Sequence, residues 1–275
     1  MLNCGITGHT GVLGSYLIKK LKYRFIKFNG DITNLKDVEK WINKNNFDYI
    51  IHLAAIVPTI YVEKKFAYSK KVNFLGTKNL VDSLIKFKKK PKNFFFSSTS
   101  HVYKPTSQLT NLKETDEVRP YSKYGKTKLL AEKYIQKRFK KTKINFCIGR
   151  IFSFTHKKQS QSFIVPNIFK KIKSSKSKEI FLENLNHNRD FVSLNDISKA
   201  IDIILKKSII GIINIGNGRK INLLSIAKFF CKKYNIKLIN HINKNPTYLI
   251  SNNRRLIKYG WRPKVNFFKE LKNFK

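Results

Sequence analysis

The sequence predicts an α/β protein: a doubly wound parallel sheet, with a smaller lobe formed by the C-terminal part of the chain. Short apolar runs alternate with amphipathic helical segments over residues 1–152. Strands that are apolar throughout are typical of a parallel sheet covered by helices on both faces. A glycine-rich segment also lies between the first apolar run and the first helical segment, as it does in many doubly wound folds.

Apolar periodicity predicts the individual elements in order. The predicted strands of the first half cover residues 2–7, 23–28, 49–53, 94–98 and 144–151. The helices between them cover residues 13–21, 35–42, 72–87 and 124–139. The second half is less regular, with helices over 194–205 and 223–234, a strand over 211–215, and polar loops at 155–162 and 173–178. We therefore expect one domain over 1–152 and a smaller lobe over 153–275, from which residues 190–215 return toward the sheet.

Charge is the most unusual feature of the composition. The 275 residues include 57 Lys and Arg against 16 Asp and Glu, a formal net charge of +41, but only nine of the basic residues are Arg. Proteins that read phosphates usually concentrate their charge and rely on Arg, whereas these lysines are spread through every predicted helix and loop. We therefore expect no specific nucleic-acid partner.

The cysteines and the lengths of the apolar runs indicate the cellular compartment in which the protein is expected. Cys4, Cys147 and Cys231 are far apart and include no C-x-x-C pair, which argues against a disulfide framework or a zinc site. No metal is expected. No apolar run approaches the roughly 20 residues of a membrane-spanning helix, and the first apolar segment, Leu2 to Thr7, is strand-like rather than a signal peptide. We expect a cytoplasmic protein without a membrane partner.

The glycine-rich segment has the spacing T-G-x-x-G-x-x-G and begins at Thr7. Glycines at this spacing, after a strand and before a helix, allow a tight turn and bring backbone N–H groups close to a pyrophosphate. The segment is therefore a candidate dinucleotide site. Its proposed members are Gly8, Thr10, Gly11, Val12, Leu13 and Gly14. The domain over 1–152 is accordingly interpreted as a Rossmann-type dinucleotide-binding domain, with the substrate lobe after it.

Further segments make the chain similar to a known family. In order, they are G-D-I-T from Gly30, H-L-A-A from His52, V-N-F-L-G-T from Val72, S-S-T before Val102 and Tyr103, Y-G-K-T-K from Tyr124, R-D-F-V from Arg189, and the group Gly260, Trp261 and Pro263. With the glycine segment, they resemble the extended short-chain dehydrogenase/reductases of the NAD-dependent epimerase/dehydratase family. The resemblance spans nearly the whole chain. It implies an NAD- or NADP-dependent enzyme that acts on a nucleotide-linked sugar, with a homodimer as the family's usual assembly.

Tyr124 and Lys128 are the candidate catalytic pair. They lie four residues apart, so both point from the same face of a helix. A free phenol has a pKa of about 10, and a nearby ammonium favours the phenolate and lowers that pKa. We expect Tyr124 to exchange a proton with a substrate oxygen. The resemblance implies that Lys128 also binds the nicotinamide ribose, and that Thr99 hydrogen-bonds the same substrate oxygen.

By the same resemblance, the cofactor site also includes Asp31, Ile32, Leu53, Ala54 and Ala55. The family's Asp at this position usually contacts the adenine, although Asp31 also fits a capping role before the second helix. The preceding strand ends in Lys27, Phe28 and Asn29, without a carboxylate at its tip. The choice between NAD and NADP therefore stays open.

Two residues after Thr99 bear on the reaction. The family's dehydratases usually carry an acidic residue one or two places after the catalytic Thr, where this chain has Ser100 and His101. Dehydration is therefore disfavoured. We expect both residues to contact substrate, and His101, with an ordinary pKa near 6.5, is an alternative acid or base.

The substrate lobe offers two more candidates. Arg189 matches the family's Arg that binds the substrate diphosphate, a task suited to guanidinium geometry; its alternative is a structural ion pair, for example with Asp190. Ser153 replaces the family's usual Asn. The short segment before Asp31 resembles the family's 4-keto-sugar reductases. We expect 4-keto reduction, with 4-epimerisation as the alternative and an inactive nucleic-acid-binding or scaffold member as a remote one.

Overall fold

The chain folds into twelve strands and eleven α-helices, which a computed structural model describes over residues 1–275. The strands are β1 (Asn3–Thr7), β2 (Arg24–Lys27), β3 (Tyr49–His52), β4 (Asn93–Thr99), β5 (Asn111–Leu112), β6 (Asn145–Ile151), β7 (Glu179–Glu183), β8 (Asn188–Asp190), β9 (Gly211–Ile215), β10 (Lys220–Asn222), β11 (Lys237–His241) and β12 (Tyr248–Ser251). The helices are α1 (Val12–Lys20), α2 (Leu35–Asn43), α3 (Thr59–Lys64), α4 (Phe66–Lys70), α5 (Gly76–Lys86), α6 (Lys123–Phe139), α7 (Ile164–Lys173), α8 (Leu194–Lys206), α9 (Leu223–Tyr234), α10 (Arg254–Lys258) and α11 (Phe267–Leu271). A π-helical segment (Lys71–Leu75) joins α4 to α5, and a 3-10 turn (Ser100–Val102) follows β4.

Six parallel strands form the central sheet, in the order β2-β1-β3-β4-β6-β9. Every neighbouring pair is parallel, and β2 is an edge strand whose last residue, Lys27, pairs with Ile6. The carboxyl ends of the strands therefore lie along one edge, where Thr7, His52 and Thr99 end β1, β3 and β4. Open parallel sheets bind their ligands at this edge.

Helices cover both faces of the sheet and bury its apolar side chains. Neighbouring residues of β3 point to opposite faces, so Ile51 packs with Leu17 of α1 and Ile201 of α8, while Ile50 packs on the side of α2, α5 and α6 with Ile135. All five side chains are fully buried. Each such burial contributes about 1.5–3 kcal/mol, which explains why the covered positions of these strands are mainly apolar.

Two smaller sheets are formed by strands of the C-terminal part of the chain together with β5. One has the order β10-β8-β12-β5, and the other is the parallel pair β11-β7. Helices α7 and α9 pack beside them around a third apolar cluster that includes Ile172 and Phe230. None of the helices is both long and apolar enough to cross a membrane.

The predicted α/β class and its doubly wound sheet are confirmed, and each strand predicted in the first half lies within one residue of its observed bounds. The helix predicted over 72–87 needs correction, because α5 begins only at Gly76, after the π-helical segment. Helices α3 and α4 were not predicted. Five strands of the second half were also missed, because they are short and carry polar residues: β7, β8, β10, β11 and β12. Helix α7 was missed as well.

The surplus of basic residues lies on the surface. Of the 57 Lys and Arg, only Lys128 and Arg150 are buried. Both belong to the region where α6 meets β4 and β6. The two buried cations therefore lie where α6 packs on the sheet.

A buried ion pair holds α6 against that sheet. Glu132 of α6 is fully buried, and its carboxylate accepts hydrogen bonds from Nη2 of Arg150 at 2.8 Å and from Nε at 3.2 and 3.3 Å. It also accepts a hydrogen bond from Ser98 of β4. One carboxylate thus ties the helix to two neighbouring strands, directly beside Thr99.

Glu132→Gln should lower the free energy of unfolding by about 3–5 kcal/mol, because it leaves the Arg150 charge buried and unpaired. Urea unfolding measures this loss. The double variant Glu132→Leu with Arg150→Met should recover most of it, since neither charge of the pair is left buried without its partner. The control Glu183→Gln, at an exposed position, should stay within about 0.5 kcal/mol of wild type. A loss of unfolding free energy no larger than that of the control would contradict a stabilising role of the Glu132–Arg150 ion pair.

Candidate active site

The glycine loop joins β1 to α1 and depends on glycine at two positions for internal reasons. Gly8 has φ = +69°, and a Cβ there would lie 2.6 Å from the backbone nitrogen of Ala54. A Cβ on Gly14 would overlap the carbonyl oxygen of Gly8. Both glycines therefore allow the loop, α1 and the segment after β3 to approach closely.

Gly11 differs, because nothing in the protein requires a glycine there. Its φ of −68° suits any residue, and a Cβ would meet only the Gly8 carbonyl oxygen, at 3.4 Å. The start of α1 has no side-chain cap and no acidic residue in its first turn, so its first N–H groups are available to an anion. Nδ1 of His9, in the same loop, is buried without a hydrogen-bond partner. The loop therefore fits the pyrophosphate of a dinucleotide.

The other predicted cofactor residues lie around this loop. Thr10 is exposed in it, while Val12 and Leu13 begin α1 and pack into the core beneath. Leu53, Ala54 and Ala55 follow β3, and the backbone nitrogens of Leu53 and Ala54 donate to the carbonyl and hydroxyl oxygens of Thr7 at 3.2 Å.

Asp31 and Ile32 lie in the loop after β2. Ile32 is buried among the core residues on the α2 face. Both carboxylate oxygens of Asp31 accept from Thr33, at 2.8 Å from its backbone nitrogen and 3.0 Å from its hydroxyl. The cap of α2 itself is Asn34, which accepts from the backbone of Lys36 at 3.0 Å. Asp31 thus stabilises the turn that precedes the helix.

Thr99, Tyr124 and Lys128 converge at the carboxyl edge of the sheet. Thr99 ends β4 and lies beside Tyr124, and its hydroxyl accepts a hydrogen bond from the backbone nitrogen of His101 at 3.2 Å. Lys128 lies one turn after Tyr124, with its ammonium 4.0 Å from the ring centre of Phe96. All three functional side chains are buried. The structure brings together residues that are up to 29 positions apart.

Burial shifts the pKa values of the pair in opposite directions. Desolvation raises the pKa of Tyr124, and the neighbouring Thr99 hydroxyl acts against this shift. Desolvation also lowers the pKa of Lys128 from its ordinary 10.5 to about 7, with the charge of Glu132 acting against the shift. The expected lowering of the Tyr124 pKa by the ammonium is therefore wrong for the free protein, because burial outweighs the effect of the neighbouring charge.

A second group of side chains lines the site next to Tyr124. The His101 ring stands edge-on to Tyr124, with centroids 5.7 Å apart, and stacks against Tyr121 at 5.8 Å. Burial, together with the nearby charge of Arg189, lowers the pKa of His101 to about 4. His101 is therefore a neutral imidazole near pH 7. Ser100, beside it, is almost completely buried.

Arg189 has no carboxylate partner. Its Nη1 donates only to the carbonyl oxygens of Asn188 and Thr247 and to the Thr247 hydroxyl, at 2.8, 3.1 and 3.1 Å. Asp190 instead accepts backbone hydrogen bonds from Asn217, Gly218 and Ser251. The alternative of an ion pair with Asp190 is therefore wrong. Since unpaired, half-buried guanidinium groups attract anions, Arg189 is suited to a phosphate.

Ser153 reaches the same region through the backbone. It follows β6 and bridges to Phe191, and its carbonyl oxygen accepts from the backbone nitrogen of Val192 at 2.8 Å. The end of β6 thus lies against the segment that starts with Arg189. Tyr121, which was not predicted, also lines the site, because its ring stacks on His101. Its only signal in the sequence is its position next to Ser122, which caps α6 by accepting a hydrogen bond from the backbone nitrogen of Gly125.

Comparison with known proteins agrees with this geometry. Residues 4–216 match the model of the NAD dependent epimerase/dehydratase family. The chain belongs to this family, whose members are NAD(P)-dependent epimerases, dehydratases and reductases of nucleotide sugars. The resemblance inferred from the sequence motifs is thereby confirmed, as is the expected NAD(P) cofactor.

Three individual likenesses illustrate the relationship. A putative UDP-glucose 4-epimerase of Methanocaldococcus jannaschii is 25% identical, with 97% of this chain and 95% of the relative aligned. A dTDP-D-glucose 4,6-dehydratase of Dictyostelium discoideum is 30% identical over 77% of this chain, which spans only 50% of that relative. The structure of RMD from Pseudomonas aeruginosa complexed with NADPH superposes with a TM-score of 0.89 at 18% identity, covering 99% of this chain and 97% of the other. This last likeness shows the fold.

Two glycine variants should separate cofactor binding from folding. Gly11→Val should leave the free energy of unfolding within about 1 kcal/mol of wild type and weaken NADPH binding, because its side chain fills the space open to a pyrophosphate. Gly14→Val should instead lose about 1–3 kcal/mol, because it overlaps the Gly8 backbone. Urea unfolding and NADPH fluorescence titration measure the two effects. Unchanged NADPH affinity in Gly11→Val would argue against binding of the pyrophosphate at the glycine loop.

Lys128 should make stability depend on pH. Its folded pKa is depressed to about 7, so between pH 7 and 10.5 the unfolded chain binds more protons and this group's contribution to the free energy of unfolding rises with pH. Below pH 7 the buried ammonium is fully destabilising. Lys128→Met should therefore stabilise the free protein by a few kcal/mol at pH 6, at about 1.4 kcal/mol per pKa unit, and by less at pH 9.

Urea unfolding at the two pH values measures that difference. The exposed Lys126→Met, on the same helix, is the matched control for loss of one charge and should show no such pH dependence. An equal stability change for Lys128→Met at pH 6 and pH 9 would contradict the depressed pKa.

Proposed function

We propose that the protein reduces a keto group, most simply at C4, of a nucleotide-linked sugar with a reduced nicotinamide dinucleotide. The observation that carries the proposal is that the buried Thr99 and Tyr124 lie side by side, one helical turn from Lys128 and close to the unpaired Arg189. The dinucleotide is assigned to the domain over 1–152 and the sugar nucleotide to the lobe over 153–275.

Tyr124 is the proposed proton donor. The nicotinamide, when bound, supplies the hydride to the carbonyl carbon. Tyr124 gives its phenolic proton to the carbonyl oxygen, so that the ketone becomes an alcohol and the phenolate is reprotonated from solvent. The Thr99 hydroxyl hydrogen-bonds the same oxygen and stabilises its developing charge. Lys128 holds the ribose and stabilises the transient phenolate.

In the free protein the Tyr124 phenol is protonated, because burial raises its pKa. A 4-epimerase begins by removing a proton from a sugar hydroxyl, which needs a phenolate or another base. Reduction instead begins with a protonated acid, which is the state that burial favours for Tyr124. The position of β2 at the sheet edge agrees with the short segment that resembles the 4-keto reductases.

Dehydration is disfavoured by the two residues after Thr99. The family's dehydratases have acidic residues at these positions, and this chain has a buried Ser100 and a neutral His101. A neutral imidazole stacked on Tyr121 is suited to pack against or hydrogen-bond a sugar ring. Arg189 is the proposed ligand of the substrate diphosphate, with Ser153 as a further contact.

The measured stoichiometry of the cofactor tests the reaction type. The protein is mixed with reduced cofactor and a panel of 4-keto sugar nucleotides. The fall in absorbance of the reduced nicotinamide should correspond to one cofactor oxidised for each sugar reduced. An epimerase would interconvert sugar nucleotides without net consumption of cofactor. Conversion under those conditions, with constant absorbance, would overturn the reductase assignment and establish the alternative.

Tyr124→Phe should reduce turnover by about 10²–10⁴-fold, because the proton donor is removed. Cofactor affinity and the free energy of unfolding should change little. The matched control is Tyr134→Phe on the same helix, whose hydroxyl bonds to Asp82 outside the site, and its turnover should stay near wild type. Steady-state kinetics with a substrate from the panel provide the measurement, and full activity in Tyr124→Phe would refute the assigned acid.

A further inference from the structure

The end of β2 carries a cation that the protein leaves unpaired. Lys27 is the last residue of the strand and is exposed. It takes part in none of the six ion pairs of the protein. Asn29, two residues later, is also exposed. Both belong to the edge strand of the central sheet or to the loop that continues it.

Strand alternation places Lys27 on the side of the glycine loop. Phe28 is buried on the α2 face, where its ring packs against Trp41 at 5.3 Å. Phe25 packs on the opposite face, with the residues of α1. Since side chains alternate along a strand, Lys27 lies on the same face as Phe25 and α1. Ile6, its partner in register, is only two residues before Gly8.

The neighbouring carboxylates are engaged elsewhere. Sites selective for NAD present a carboxylate at the end of this strand to the adenosine ribose, whereas a nearby basic side chain accommodates a 2′-phosphate. Here both oxygens of Asp31 accept from Thr33, and Asp37 accepts from the backbone nitrogen of Asp31 at 2.9 Å. The tip itself offers only an ammonium and an amide.

We propose that Lys27 and Asn29 select the 2′-phosphorylated dinucleotide, NADP(H), by donating hydrogen bonds from their side chains to the ribose 2′-phosphate. The inference rests on the proposed function, because it requires that the glycine loop hold a dinucleotide. It adds the form of the cofactor and the residues that choose it. A phosphate dianion gains charge-assisted hydrogen bonds from these two donors that a ribose hydroxyl cannot make as strongly.

Cofactor titration tests the preference without any substrate. NADPH and NADH fluorescence are measured with the full chain at about 0.2 M salt, which screens the general positive charge of the surface. NADPH should bind about 10- to 100-fold more tightly than NADH. NADH binding as tight as NADPH overturns this inference and leaves the proposed function intact. Failure of both dinucleotides to bind overturns the proposed function as well.

Two variants locate the selection. Lys27→Glu and Asn29→Asp should each weaken NADPH by at least about 10-fold while leaving NADH unchanged or tighter. Arg24→Glu is the matched control, because it makes the same charge change at the other end of the same strand. The control should keep the wild-type preference. If Lys27→Glu and Arg24→Glu weaken NADPH equally, the preference arises from net charge and the assignment to the strand tip is overturned.

Adenosine 2′,5′-bisphosphate gives a second readout that does not involve the nicotinamide. It should displace bound NADPH more effectively than 5′-AMP from wild type, and this advantage should disappear in Lys27→Glu. Equal displacement by the two nucleotides in wild type would contradict recognition of the 2′-phosphate.

Discussion

The buried ion pair between Glu132 and Arg150 is the constraint on which the geometry of the site depends. It joins α6, which carries Tyr124 and Lys128, to β6, and through Ser98 to β4, which ends at Thr99. A buried pair is weak evidence for added stability, since apolar residues of similar volume often do as well. Its directional hydrogen bonds do fix the helix relative to the strands. That placement keeps Tyr124 beside Thr99.

A second buried network connects the cofactor loop to the same helix. Thr7, at the start of the glycine loop, lies 2.6 Å from Nδ1 of His52, whose Nε2 lies 2.9 Å from the hydroxyl of Thr77. Asn73 continues the chain to Thr127 of α6 at 3.0 Å. Burial lowers the pKa of His52 to about 3, so the network stays uncharged over the physiological range. The two halves of the site are thus coupled by neutral hydrogen bonds whose geometry does not change with pH.

The sequence was informative where burial imposes a regular pattern. Strands such as β3 are covered on both faces, so their residues are mainly apolar and their ends could be predicted to within one residue. Strand β8, Asn188–Asp190, is short and polar, and its pairing depends on distant partners that periodicity cannot reveal. Helices α3 and α4 are too short for a periodic signal. The candidate site residues were predicted from spacing and motif, but their surroundings could not be. The desolvation of Tyr124 and the hydrogen bonds from backbone nitrogens to Asp190 arise only from tertiary packing.

The opposite pKa shifts of Tyr124 and Lys128 have a common origin and a joint consequence. Burial penalises the phenolate and the ammonium alike, so near pH 7 the free site holds a protonated phenol beside an amine that is about half charged. In the proposed mechanism, the negative charge of the bound dinucleotide favours the ammonium form of Lys128, so that binding takes up a proton. In that mechanism, the ammonium then stabilises the phenolate that remains after Tyr124 has given up its proton. In the free protein, burial thus disfavours the charged form of Lys128. The proposed mechanism requires a charged Lys128 beside a protonated Tyr124, and this combination is favoured only when the dinucleotide is bound.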